Sequence, residues 1–166
     1  QECERTHVFS NGKQFVIRHH EDYELVNEFH DQKNKVHGVI VVHSTACGPA
    51  VGGFRWSTYA DISAATNDGL LLGKGMTYKS VMAGHPYGGG KMVVMKRIDH
   101  RRTPSGDISE ARKAALLSIG EIIEESYRYT GIKYITAEDS GTNVSDIEII
   151  KEKRSEEHTS ELQSPD

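Results

Sequence analysis

Apolar residues recur along the chain in two rhythms. Gln14-Phe-Val-Ile-Arg18 and Val36-His-Gly-Val-Ile-Val-Val42 are short β-branched runs and read as strands. The polar stretch at 31–35 between them suits a hairpin turn. A third strand takes in Ala50-Val51 and ends near Gly52-Gly53. From residue 60 to 81 the step changes: Ile62, Ala65, Gly69, Leu72 and Met76 recur at three- and four-residue intervals, the spacing of one helix face. Ser63 or Asp61 would cap its start. Gly69, Gly73 and Gly75 each weaken such a helix by about 1 kcal/mol relative to alanine, so a strand or a ligand should press against that face. Lys91-Met-Val-Val-Met-Lys96 is another strand, and 99–107 is a polar loop with Pro104 and Gly106. Ile108, Ala111, Ala115, Ile119, Ile122 and Ile123 mark an amphipathic helix over 109–129, closed by Gly131. Ile132-Lys-Tyr-Ile-Thr136 is a further strand, and a last helix starts near Ser145, capped by Asn143 or Ser145. Strands separated by helices predict an α/β domain: a mixed β-sheet flanked by helices, without internal repeat.

Composition narrows the class. The 166 residues suffice for one sizeable core, and 36% hydrophobic with 27% charged residues is ordinary for a globular domain. No run approaches the roughly eighteen apolar residues of a membrane span. Lys+Arg number 20 against Asp+Glu 24, a net charge of −4, which provides no general grip on nucleic acid or anionic lipid. Cys3 and Cys47 are too few for a disulfide scaffold or a cysteine metal site. The chain opens on Gln1 with no charged, apolar leader, so a cytoplasmic location is expected and the N-terminus is not taken as complete. Residues 154–164 resemble the translation of a sequencing-library adapter, and Pro165-Asp166 follow. Leu162 is the one large aliphatic residue there, so 154–166 is set aside as a disordered, non-native tail and the domain as 1–153.

Three segments exceed what packing needs: Gly48-Pro-Ala-Val-Gly-Gly53-Phe-Arg55; Gly75-Met-Thr-Tyr-Lys79 with Gly88-Gly-Gly90-Lys91; and Thr136-Ala-Glu-Asp139-Ser-Gly141-Thr142. Each falls at a strand or helix junction, where open α/β sheets place ligands. The three consecutive glycines would let backbone or substrate approach Lys91. They make a poor phosphate loop, because His85 replaces the leading glycine and Met92 the Ser or Thr after the lysine. Lys79 and Lys91 lie twelve residues apart around a turn. If helix and strand run antiparallel, both ammonium groups reach one pocket; one would then lose its proton more easily and act as base, the other binding a carboxylate. The alternative is two solvated surface lysines. Asp139 either caps a turn, for which Asp-Ser-Gly-Thr is good chemistry, or transfers protons at an amine. Spacing does not join it to Lys91. The other candidates are weaker. His19-His20 lacks metal partners, His85 reads as a turn residue, Cys47 has no evident base, and Ser140 is no nucleophile elbow. Tyr127 and Tyr129 read as packing residues.

Taken in order and at these separations, the segments resemble the glutamate, leucine, phenylalanine and valine dehydrogenase family over about residues 15–153, nearest its leucine/phenylalanine branch. The resemblance implies an NAD-dependent oxidative deamination of a branched-chain or aromatic L-amino acid to a 2-oxo acid and ammonia. It implies that Lys79 binds the substrate carboxylate, that Lys91 is the base activating water, and that Asp139 relays protons at nitrogen close to the nicotinamide. Gly52, Gly53 and Met76 would lie beside the amino acid, and Val51 and Ala137 would line its side-chain pocket. It also implies a homo-oligomer built on this substrate-binding domain. The family carries a second, Rossmann domain with a glycine fingerprint that does not occur in these 166 residues. The chain is therefore expected to be a truncated and, alone, inactive piece. The alternative is a non-catalytic oligomerisation or binding module. Trp56 stands where leucine-specific relatives usually carry methionine, which leaves the preferred side chain open.

Overall fold

The computed structural model describes residues 3–152. Seven strands form one mixed sheet: β1 Glu4–Val8, β2 Gln14–His20, β3 Tyr23–Asp31, β4 Val36–Ser44, β5 Ala50–Ser57, β6 Gly88–Met95 and β7 Tyr134–Glu138. Their order is β1-β2-β3-β4-β6-β5-β7. Pairing is antiparallel from β1 through β4 to β6, then parallel from β6 to β5 and β5 to β7. Three α-helices connect them, α1 Ile62–Ala83, α2 Glu110–Thr130 and α3 Val144–Glu152, with a short 3-10 turn at Ile98–His100. The mixed α/β architecture read from the hydrophobic pattern is the one observed.

The sheet separates two cores. Phe15, Phe29, Ile40, Phe54, Trp56, Met92 and Val94 face α2 and α3, meeting Leu116, Ile119, Ile123 and Ile150. On the opposite face Val26, Val39, Val41 and Val93 meet α1 through Ala65, with Ile62 and Leu70 at its margin. Alternate residues of β6 serve the two layers, as a pleated strand requires. Caps fix the helix ends: the Asp61 carboxylate accepts from the Ala64 amide, and Ser109 Oγ from the Arg112 amide. Gly84 and Gly131 close α1 and α2 in left-handed conformations, with φ of 70° and 73°. Asn143, rather than Ser145, caps α3: its Oδ1 accepts from the Asp146 amide while its own amide donates to Asp146 Oδ2.

Several expectations are corrected. The turn at 31–35 does not join β2 to β4, because β3 lies between them and pairs with both. Leu25, Val26 and Asn27 are consecutively buried, which breaks the alternation that would have marked β3. β1 was also unread. β5 runs on through the paired glycines to Ser57, and β7 sits two residues later than expected. β6 starts at Gly88, three residues before the expected start at Lys91, so the three glycines are strand residues. A side chain at Gly88 would meet Ser44 O, one at Gly89 would meet Thr77 of α1, and one at Gly90 would meet Val41 O and Tyr134. Their bareness is used by close protein contacts. The stretch at 154–166, expected to be an unstructured tail, lies outside the described residues.

Candidate active site

Val93 faces α1, so Lys91, two residues earlier on β6, emerges on the same face. It is buried, and its ammonium forms an ion pair with Asp139 Oδ2 just beyond β7. Gly53 of β5 makes room for the pair. A Cβ there would stand 2.6 Å from Asp139 Cβ and 3.1 Å from Lys91 Nζ, so any side chain would displace the carboxylate. Two residues along β5, Arg55 places Nε 3.5 Å from Asp139 Oδ2 and Nη1 3.3 Å from Asp68 Oδ2 on α1. The Tyr59 hydroxyl donates to the same Asp68 oxygen. Asp139 is thus flanked by two cations, and Arg55 bridges it to α1.

Local bonding fixes the turn that carries Asp139. The Asp139 amide donates to Thr142 Oγ1 (2.9 Å), and that hydroxyl donates to Phe54 O of β5 (2.7 Å). The Trp56 amide donates to Ser140 O (3.0 Å). Gly141 has φ 85°, and a Cβ there would lie 2.0 Å from Trp56 O, so only glycine fits. Burial pushes the Asp139 carboxyl up, but the Lys91 ammonium, the Ser140 amide and the Arg55 guanidinium outweigh it and hold it below the usual aspartate range. Burial, then the bond to Asp68, push the Tyr59 phenol up to about 12.

The helix and strand bearing the two lysines do run antiparallel. Gly69 of α1 lies against Val93, Gly73 against Lys91 N, and Thr77 against Gly89. Lys91 is nevertheless partnered by a carboxylate, not by Lys79, which is exposed and joins the pair through no hydrogen bond or ion pair. Eleven residues separate Lys79 from Asp68, about 20° around a helix, so both lie on the side of α1 that meets Arg55. Gly75, on that same side, has nothing within 4 Å of its Cβ position. Met76 is half-buried at its edge. Register places Val51, Ile135, Gly53 and Ala137 on one face, Val51 half-buried and Ala137 exposed. Gly52 differs, because its missing side chain is accounted for by Gly90 O, 1.7 Å from the Cβ position.

The sequence pattern assigns no role to Arg55, and it does not single out Asp68, Tyr59 or Ile135. The spacing of Arg55 two residues from Gly53, and of Asp68 seven and eleven residues from Gly75 and Lys79, was the available signal. Trp56, taken as a doubt about the substrate, belongs to the other face. It is 1% exposed, against Phe54 and the Arg112 guanidinium. Tyr129 packs against His7 and Phe15.

Elsewhere a groove of about 420 Å³ lies between the first half of α1 and β2–β3, lined by Arg18, His20, Glu28, Ser63 and Asn67. Arg18 and His37 already satisfy Glu28 there, so chemistry favours the Lys91–Asp139 face. Among the described residues no group of three or more His, Cys, Asp and Glu is placed to hold a metal. No described helix is long and apolar enough to cross a membrane.

Known proteins are similar to this chain in sequence and fold. Residues 22–156 match the family model described as Glu/Leu/Phe/Val dehydrogenase, dimerisation domain. The chain is 41% identical over 134 residues to a leucine dehydrogenase of Thermoactinomyces intermedius, covering 80% of this chain and 32% of that protein. It is 36% identical over 142 residues to a valine dehydrogenase of Streptomyces virginiae, covering 84% and 36%. The solved L-tryptophan dehydrogenase from Nostoc punctiforme superposes with a TM-score of 0.67 at 28% identity, covering 80% of this chain and 35% of that one. The chain spans about a third of the length of these relatives. On sequence and fold together, it belongs to the Glu/Leu/Phe/Val dehydrogenase family, within the part described as the dimerisation domain.

Proposed function

We propose that this domain seats a branched-chain or aromatic L-amino acid between α1 and β5–β7 and supplies acid–base groups for its NAD-dependent oxidative deamination. The observation that carries this reading is the buried Lys91 ammonium against Asp139, over the bare face of Gly53 and next to the open side of α1 at Gly75. Lys79 lies six residues past Gly73, the level of Lys91, or about 9 Å along the helix. Lys79 would hold the carboxylate of one small zwitterion, and the Asp139 carboxylate beside Lys91 would accept from its ammonium end. Val51, Gly53, Ala137 and Met76, with Gly52 shaping the backbone beside them, would surround its Cα and side chain.

NAD, when bound, supplies the acceptor for the hydride that leaves Cα. The described βα junctions do not fit it: residues 58–61 carry no glycine, 96–109 only Gly106 and 140–143 only Gly141, so none makes a pyrophosphate loop. Among the described residues, Asp139 would stand beside the nicotinamide. The remaining steps fall to this chain. Lys91, once deprotonated, takes a proton from the water that adds to the iminium carbon and hands it to the Asp139 carboxylate, which passes it to the carbinolamine nitrogen. As the C–N bond breaks and ammonia leaves, Lys91 takes the hydroxyl proton. The product is the 2-oxo acid.

In a full-length protein carrying this domain, Lys91→Ala and Asp139→Asn should each lower kcat by about 10²–10⁴ with leucine, valine or phenylalanine, circular dichroism remaining unchanged. Unchanged turnover in folded variants would remove both roles. The 166-residue chain alone should reduce no NAD. The reading includes self-association, for which α1 offers an exposed apolar stripe of Leu71, Tyr78 and Met82 and which the matching family description names. A module that only assembles would show the association without the kinetic effects.

A further inference from the structure

On the face opposite the lysines, Arg112 of α2 and Asp146 of α3 form a buried pair, with side chains 4% and 0% exposed. The contact is bidentate: Nε donates to Oδ1 at 3.0 Å and Nη2 to Oδ2 at 2.8 Å. The guanidinium also donates to His100 O (2.9 Å) and Gly141 O (3.0 Å), and it lies 4.4 Å from the Trp56 ring. Asp146 Oδ2 in turn accepts from the Asn143 amide. A buried ion pair is an uneconomical way to stabilise a core, since well-packed apolar residues often do as well. What apolar residues could not do is bond Gly141 O and Asn143 N. Those two groups lie in the turn whose other end carries Asp139, and β5 holds that turn through Phe54 O and the Trp56 amide.

We propose that Arg112 and Asp146 are positioning residues for Asp139, clamping the turn at 139–143 from the α2–α3 side so that its carboxylate stays against Lys91 and Arg55. The inference rests on the reading of Asp139 as an acid–base group. Arg112 is suited to the task because its planar fork meets a carboxylate and two carbonyls at once, each from a different element. Lysine would keep the charge and lose the fork. The turn is thereby tied to α2, α3 and the 3-10 segment as well as to β5, so Asp139 is referenced to both layers of the domain.

The test uses the 166-residue chain and follows individual aspartate carboxyls by carbon-detected NMR titration. Arg112→Lys isolates geometry from charge. Arg112→Met with Asp146→Leu removes the pair and leaves only one charge unpaired, that of Arg102, which also donates to Asp146 Oδ1 (3.0 Å) and is partly exposed to solvent. Asp31, whose carboxylate is bonded to Ser118 away from this turn, is the internal control. The expected result in both variants is an Asp139 midpoint raised by about 0.5 pH or more toward the ordinary aspartate value, with Asp31 unmoved. An unmoved Asp139 in a folded variant overturns the proposal, whatever happens to thermal stability. So does a joint movement of Asp139 and Asp31, which would signal general loosening. Unfolding of both variants also counts against it, because it would make the pair a global support. This readout needs no turnover. Failure of the enzymatic reading would appear separately, as full activity in Asp139→Asn.

Discussion

The two faces of the sheet solve different problems with the same strands. Toward α2 and α3, β5 presents Phe54 and Trp56, both essentially inaccessible and stacked 5.4 Å apart. Toward α1 the same strand presents Gly53 and Arg55, one absent side chain and one half-exposed cation. The first face is filled by large side chains whose burial contributes about 1.5–3 kcal/mol each. The second is left bare beside a carboxylate and two cations, an arrangement that favours chemistry over stability. A charge-rich surface placed directly behind an aromatic core gains rigidity from it, since the β5 backbone holding Asp139's turn is the backbone anchored by Phe54 and Trp56.

The largest expected effect is on the filled face. Phe54→Ala should cost about 3–5 kcal/mol, read as the loss of denaturant midpoint, through lost transfer energy and a cavity. A cost no greater than that of a surface substitution would break the contrast. Gly53→Ala comes next, at about 1–3 kcal/mol, because the new methyl must displace Asp139. Its sharper signature is a separated Lys91–Asp139 pair, visible as a raised Asp139 titration midpoint. An unmoved midpoint would mean that the bare face is not reserved for the pair. The smallest effect is in acid. Asp146 and Asp139 are both held below the usual range, each against the push of burial: Asp146 chiefly by its bond to Arg112, Asp139 by Lys91. Below about pH 4 the unfolded chain therefore binds more protons, and the stability these groups contribute above that pH is lost as pH falls through their folded values. Asp139→Asn should soften that acid limb only slightly, and Asp146→Asn more, since Asp146 is wholly buried. Equal softening in acid melting curves would contradict the distinction between the faces.

Legibility followed the same division. Both long helices were evident, because α2 keeps Ala115, Ile119 and Ile122 at helical steps with Ser109 and Gly131 as punctuation. β3 was not, because Asn27 is buried against Ser126 while Glu28 is paired on the other side with Arg18 and His37. Polar residues satisfied by distant partners carry no periodic signal. The triple glycine left approach by backbone or by substrate open, since sequence records that side chains are missing and not what occupies the space; close protein contacts occupy it. Lys91, Asp139 and Gly53 were each singled out, but their contact spans three strands whose order, β6-β5-β7, differs from their order in the chain.

By itself the sequence determined the two long helices, five of the strands, a pair of candidate caps for α1 and for α3, and the family motifs, all of which depend on neighbours within a few positions. Only the tertiary structure decided which cation meets Asp139, which glycines are demanded by backbone and which by the ion pair, and that Trp56 faces away from the site. Those outcomes depend on contacts between residues tens of positions apart. They are set by sheet order and by the side of each strand a residue occupies, and local spacing does not encode either.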